Sequence, residues 1–124
     1  MKLFTATVKL AHTSPYGRFR VGAIIAHRNS VVSMGVNQKK SHPLQARFSS
    51  RPHLKHCWLH AEIHAITLAN TADILGADCY VARVLMDGQL GASRPCKGCS
   101  EALKHYGLNR MIYWCDGEII SENI

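Results

Sequence analysis

Two short segments hold most of the side chains able to do chemistry: His60-Ala61-Glu62 and Pro95-Cys96-Lys97-Gly98-Cys99. Both fall where a helical pattern begins. Cysteines at i and i+3 in a first helical turn point two sulfurs at one metal. The unpaired N–H groups of a helix N-terminus favour the thiolate form. His60 opens the other helix. If both helices start at one edge of a sheet, His60, Cys96 and Cys99 close on a single Zn²⁺ and leave its fourth position open. That is a catalytic arrangement, since a structural zinc takes four protein ligands. Glu62 sits two residues from a ligand. From there it reaches a zinc-bound water, whose pKa falls from about 15.7 toward 7, without binding the metal. A carboxylate so placed is a general acid/base. Taken singly, the C-x-x-C also fits a redox pair or half a structural site, and Glu62 an ordinary first-turn acid. The combination favours the catalytic zinc.

The flanking pattern supplies elements to carry these residues. Residues 3–12 predict a short helix with Leu3, Val8 and Leu10 to bury. Thr13–Gly17 is rich in turn formers. Phe19–Ala26 predicts a largely buried strand, His27–Ser30 a turn, and Val31–Val36 its hairpin partner. Residues 37–56 are polar, basic and interrupted by Pro43 and Pro52, which predicts a long loop. Residues 58–70 predict a helix with Leu59, Ile63, Ile66 and Leu68 as its apolar stripe. Cys79–Leu85 predicts a third strand and residues 96–106 a second good helix, with Gly107 at its stop. Arg110–Cys115 predicts a fourth strand. Asp116-Gly117 is a strong two-residue hairpin signal, and Glu118–Ile120 a short fifth strand. This order suggests an α/β layered domain.

Composition narrows the class. The chain has 124 residues, 47% apolar and 19% charged, with net charge +7. This fits one soluble globular domain over 1–124, small enough that self-association helps it. No apolar run reaches the roughly 20 residues of a membrane-spanning helix. Met1-Lys2-Leu3-Phe4-Thr5 lacks the apolar block of a signal peptide, so the expectation is a cytoplasmic protein without a membrane partner. Five cysteines, an odd count, argue against a fully paired disulfide framework. The charge is lopsided: the first acid is Glu62, and residues 1–61 carry ten basic residues, whereas residues 62–124 carry five basic and eight acidic ones. An anionic partner on the surface built by the first half follows: a nucleotide phosphate, nucleic acid or an acidic subunit face.

His60-Ala61-Glu62 with Pro95-Cys96-Lys97-Gly98-Cys99 matches the H-x-E…P-C-x-x-C signature of zinc nucleobase deaminases. The chain thus resembles the cytidine/deoxycytidylate deaminase superfamily over most of its length. Tyr16-Gly17-Arg18-Phe19-Arg20-Val21-Gly22-Ala23 is similar to the first-strand motif of free-nucleoside cytidine deaminases. Gly35-Val36-Asn37 is similar to the end of the family's second strand, where an asparagine contacts the sugar. Ser93-Arg94-Pro95-Cys96 resembles the loop entering the zinc cysteines. The resemblance implies a three-layer α/β/α fold with a mixed sheet of about five strands. It also implies hydrolytic deamination of a cytosine nucleotide or nucleoside, with a zinc-bound water as nucleophile and Glu62 as proton shuttle. The Ala61 backbone would hold the pyrimidine edge and Asn37 the sugar. Phe19 is a weaker candidate for a substrate contact, since an aromatic on a strand is usually core.

Substrate signals conflict. The first-strand motif and the Asp116-Gly117 hairpin are similar to nucleoside enzymes, in which the last strand runs antiparallel. Those enzymes usually carry a cysteine where this chain has His60. A histidine is the habit of deoxycytidylate, tRNA-adenosine and polynucleotide deaminases, yet the chain stops soon after Ile120, short of the terminal helix and strand that polynucleotide enzymes use. Lys39, Lys40, Arg47 and Arg51 are candidate phosphate contacts and favour dCMP or CMP. The alternatives are a deaminase of single-stranded DNA or RNA, acting on cytosine or adenine, and a non-catalytic zinc-stabilised nucleic-acid-binding module. Relatives are commonly homo-oligomers. His64, one turn after His60, reads as a packed neighbour of the site rather than a ligand. His53, His56 and Cys57 lack a clear fourth ligand for a second, structural zinc. Cys79 and Cys115 read as buried small hydrophobes, and Trp58 as a core anchor or pocket wall.

Overall fold

A computed structural model describes residues 2–15, 17–49 and 58–124. Tyr16, Arg51, His53, His56 and Cys57 therefore lie outside the described residues. The elements run α1 (Lys2–Ala11), β1 (Arg20–His27), β2 (Ser30–Val36), α2 (Pro43–Arg47), α3 (Ala61–Thr67), α4 (Thr71–Ile74), β3 (Asp78–Val84), β4 (Leu90–Gly91), α5 (Lys97–His105), β5 (Arg110–Cys115) and β6 (Glu118–Asn123).

The sheet order is β2-β1-β3-β5-β6, with β4 paired to β3. Among the described residues only β3 and β5 run parallel; the other strand pairings are antiparallel. The sheet is therefore mixed, as expected, and its sixth strand is the two-residue β4. Strand alternation separates two apolar layers. Ile24, Ala26, Tyr80, Ala82 and Ile112 pack with Phe4 of α1. Ala23, Ile25, Cys79, Val81, Met111 and Tyr113 pack with Ile63, Ala65 and Ile66 of α3 and Cys99, Ala102 and Leu103 of α5. The result is three layers, with the helices carrying both chemical segments on one face.

Backbone geometry explains several sequence signals. Asp116 and Gly117 have φ of 49° and 80°. Both central residues of the turn are thus left-handed, as a tight hairpin joining twisted strands requires, and β6 runs antiparallel to β5. At Gly35 the constraint is space: a Cβ there would stand 2.4 Å from Ala65 N and 2.5 Å from Ala61 O. Only glycine lets β2 and α3 approach this closely, which fixes α3 over the sheet.

Three expectations need correction. The 37–56 segment contains α2; Pro43 opens it and the His42 ring accepts from Leu44 N–H. The 58–70 helix begins only at Ala61, because His60 is extended (φ −80°, ψ 155°) and Leu59 bridges to Gln38. It ends at Thr67, leaving Leu68 63% exposed. A second short helix, α4, follows, capped by the Asn70 side chain accepting from Ala72 N–H.

Candidate metal centre and active site

The parallel pairing of β3 with β5 extends only over Asp78–Tyr80 against Arg110–Ile112. At one end the register is locked by Arg110, which forks onto Asp78 through Nη2 at 2.8 Å and Nε at 3.3 Å. Beyond Tyr80 the strands part and Ser93 fills the gap. Its hydroxyl donates to Val81 O at 2.7 Å and accepts from Trp114 N–H at 2.8 Å. Ser93 is buried, so these bonds satisfy backbone groups the sheet has lost. They also anchor the segment entering α5. The opening of parallel strands beyond their carboxyl ends is a recurrent place for α/β sites.

Both chemical segments arrive there as helix N-caps. His60 precedes α3 and Cys96 precedes α5, with Cys96 Sγ accepting from Cys99 N–H at 3.4 Å. His60 Nδ1 lies 3.3 Å from Cys99 Sγ and 3.6 Å from Cys96 Sγ. The three ligand atoms fall within 4.8 Å of one another. Bonds of about 2.0–2.1 Å to nitrogen and 2.3 Å to sulfur at a tetrahedral angle place N and S about 3.6 Å apart. The donor set thus fits zinc in both chemistry and spacing. Among the described residues no fourth acid, histidine or cysteine joins it.

Gln45, not singled out by sequence reasoning, positions this group. It is 1% exposed, and its Oε1 accepts from His60 N–H at 2.9 Å. Helix α2 therefore ties the polar 37–49 segment to the candidate ligand His60. A glutamine in a basic stretch offers no sequence signal for that role.

Electrostatics depart from the thiolate expectation. Contact with Cys96, burial and the nearby Glu62 charge push the Cys99 thiol well up. Cys99 is thus a thiol until a cation displaces its proton. His60 is raised chiefly by its contact with Cys96, against burial. Burial raises Glu62, with the His60 charge opposing. Glu62 is 5% exposed and stands in the first turn of α3.

A cavity of about 320 Å³ opens over the centre, lined by Phe19, Val21, Asn37, His60, Ala61, Glu62, Val81, Arg83, Ala92, Ser93, Arg94 and Cys96. It brings together Glu62, two of the candidate ligands and all three candidate substrate contacts. Asn37 is already engaged: its Oδ1 accepts from Ser14 Oγ at 2.6 Å and Val21 N–H at 2.9 Å, and its Nδ2 donates to Phe19 O. These bonds fix its orientation at the cavity wall. Phe19 is 48% exposed rather than core. Trp58 lines an adjoining recess with Phe19, Asn37 and His60, and Lys39 Nζ lies 6.0 Å from its ring. His64 accepts from Val36 N–H through Nδ1 at 3.0 Å, a packed role as expected. Cys79 is buried, whereas Cys115 is only half-buried.

Of the candidate phosphate contacts, Lys39, Lys40 and Arg47 are described and Arg51 is not. Lys39, Lys40 and Arg47 do not line this cavity; Arg47 lies over Phe48 and beside His105 instead. Among the described residues the cations at the wall are Arg83 and Arg94, from the second half of the chain. Arg94 was visible only as part of the segment before Pro95, and Arg83 as one residue of a strand.

Comparison with known proteins agrees with this geometry. The model of the cytidine and deoxycytidylate deaminase zinc-binding region matches residues 1–115, and the chain belongs to that family. No curated protein matches it significantly. Among solved structures, it is similar to the cytidine deaminase of Burkholderia pseudomallei, with TM-score 0.66 and 21% identity, over 98% of this chain and 90% of that one. It is also similar to the dCMP deaminase of cyanophage S-TIM5, with TM-score 0.52 and 21% identity, over 89% and 80%. RibD of Acinetobacter baumannii has TM-score 0.56 and 19% identity over 89% of this chain, which spans only 26% of RibD. At these identities the solved structures establish the shared fold. Among the described residues no helix is long and apolar enough to cross a membrane.

Proposed function

We propose that the protein is a zinc-dependent hydrolytic deaminase of a cytosine nucleotide, dCMP or CMP. The observation that carries this reading is the buried Glu62 carboxyl, which shares one cavity with His60 and Cys96 and stands beside the three-donor group without joining it. A non-catalytic zinc module has no use for such a group.

His60, Cys96 and Cys99 would hold the zinc ion, which when bound would supply hydroxide at neutral pH. Glu62 takes a proton from the attacking water and delivers it to the ring nitrogen of the base. It then takes the remaining proton from the hydroxyl added to the ring carbon and passes it to the exocyclic amine, so that the C–N bond breaks, ammonia leaves and the uracil carbonyl forms. Its burial suits it to carry a proton, because a carboxyl raised toward neutrality both accepts and returns it. The backbone of Ala61 lies against the base edge, and Asn37, fixed by its own hydrogen bonds, faces the sugar. The family membership and the cations at the cavity wall support a phosphate-bearing pyrimidine.

The test is ammonia release from dCMP and CMP by the zinc-loaded protein and its Glu62→Gln variant. Glu62→Gln is expected to lower kcat by roughly 10²–10⁴-fold with zinc content unchanged. Turnover within tenfold of the parent would remove Glu62 from the chemistry. Silence of the parent itself on both nucleotides would sink the proposal.

A further inference from the structure

One cation at the cavity wall has no part in the proposed chemistry. Arg83 lies two residues beyond Val81 on β3, so it shares the sheet face that carries α3 and α5. Its guanidinium stands 5.0 Å from the centre of the exposed Phe19 ring. Among the described residues it pairs with no acid; the two ion pairs there are Arg94–Glu122 and Arg110–Asp78. Its Nε is buried and donates to nothing among the described residues. A half-buried cation without an acid carries a desolvation cost that a bound anion offsets. The one acid lining the cavity, Glu62, is buried and occupied beside the ligands. Arg94, the other cation at the wall, is already engaged by Glu122 at 2.8 Å.

We propose that Arg83 is a substrate-specificity residue that binds the phosphate monoester of a nucleoside monophosphate, with Phe19 holding its guanidinium in place. The proposal rests on the deaminase reading for where the base lies, and assigns the phosphate to β3 rather than to the basic 37–51 segment. The planar guanidinium suits a phosphate because it offers two parallel donors, which the point charge of lysine does not.

The zinc-loaded full chain and its Arg83→Gln and Arg83→Lys variants are assayed for ammonia release from CMP, dCMP, cytidine and deoxycytidine. The same proteins are titrated calorimetrically with CMP and cytidine. Arg83→Gln is expected to raise KM and Kd for the nucleotide roughly 10- to 100-fold more than for the nucleoside, and Arg83→Lys to recover part of that difference. Equal losses on nucleotide and nucleoside would mark a structural role and overturn the proposal, as would no loss. If Arg83→Gln fails to fold, the parent decides: equal Kd for CMP and cytidine overturns the assignment, and a preference of tenfold or more for CMP supports it. No turnover of any substrate alongside an Arg83-dependent preference for CMP would sink the deaminase reading and leave the phosphate site standing. Turnover with no phosphate preference would do the reverse. A short single-stranded cytosine oligonucleotide that binds tighter than CMP, with a steep salt dependence, would overturn the mononucleotide assignment.

Discussion

His64 shows how one side chain beside the site couples fold to pH. Its Nδ1 must be unprotonated to accept the Val36 N–H at 3.0 Å. Burial, with Lys40 and His42 adding to it, lowers its pKa from the usual 6.5. A histidine depressed in the folded state contributes stability above its unfolded pKa. As pH falls below 6.5, the unfolded chain takes up this proton before the folded chain does. Stability therefore declines until pH passes the folded value, then levels. Urea midpoints of the zinc-loaded protein between pH 7.5 and 5 are expected to show this decline, with the His64 share missing in His64→Gln. Identical pH slopes in the two proteins would refute it.

At the scale of elements, the site depends on how helices meet the sheet. Gly35 lets α3 settle against β2, Ser93 fills the parting of β3 and β5, and α2 docks through Gln45. Gln45→Leu keeps an apolar stem there but strands the His60 N–H. Leaving a buried donor unpaired costs about 1–3 kcal/mol. That loss falls at the N-cap that carries the proposed ligand His60, so zinc affinity is expected to weaken together with thermal stability. Competition with a colorimetric chelator measures the first and thermal unfolding the second. A variant that loses stability but keeps zinc affinity would show that α2 supports the fold without positioning the ligand.

For the molecule as a whole, metal binding, protonation and folding are one linked equilibrium. Cys99 is held as a thiol without a cation, so zinc uptake must displace its proton. Calorimetry at pH 7 in buffers of different ionisation enthalpy is expected to show net proton release on zinc binding. Release of none would mean that the thiolates pre-exist. Chelation is expected to lower the unfolding temperature, because zinc binds the folded donor set in preference to the unfolded chain.

Local chemistry was legible in the sequence wherever neighbouring residues decide it. His60-Ala61-Glu62 and the Pro95–Cys99 segment announce a metal with a proton carrier because a helix's first turn fixes their spacing. Asp116-Gly117 announces its hairpin because few residues tolerate two left-handed positions. The helix bounds near Ala61 and the short α4 were harder to read, since an apolar stripe does not say where a cap interrupts it. The charge asymmetry pointed to an anion and offered Lys39, Lys40, Arg47 and Arg51 as its contacts; among the described residues the cations lining the cavity are Arg83 and Arg94. Which cation meets the cavity depends on which strand face it occupies and which loop passes beside it. Gln45 and Ser93 became functional neighbours for the same reason. Their partners lie 15 and 12 residues away or more in sequence, at His60, Val81 and Trp114. The reactive groups were thus set by local sequence. Their convergence, the shape of the cavity and the cation facing it were decided by packing between distant segments, which no short stretch of chain encodes.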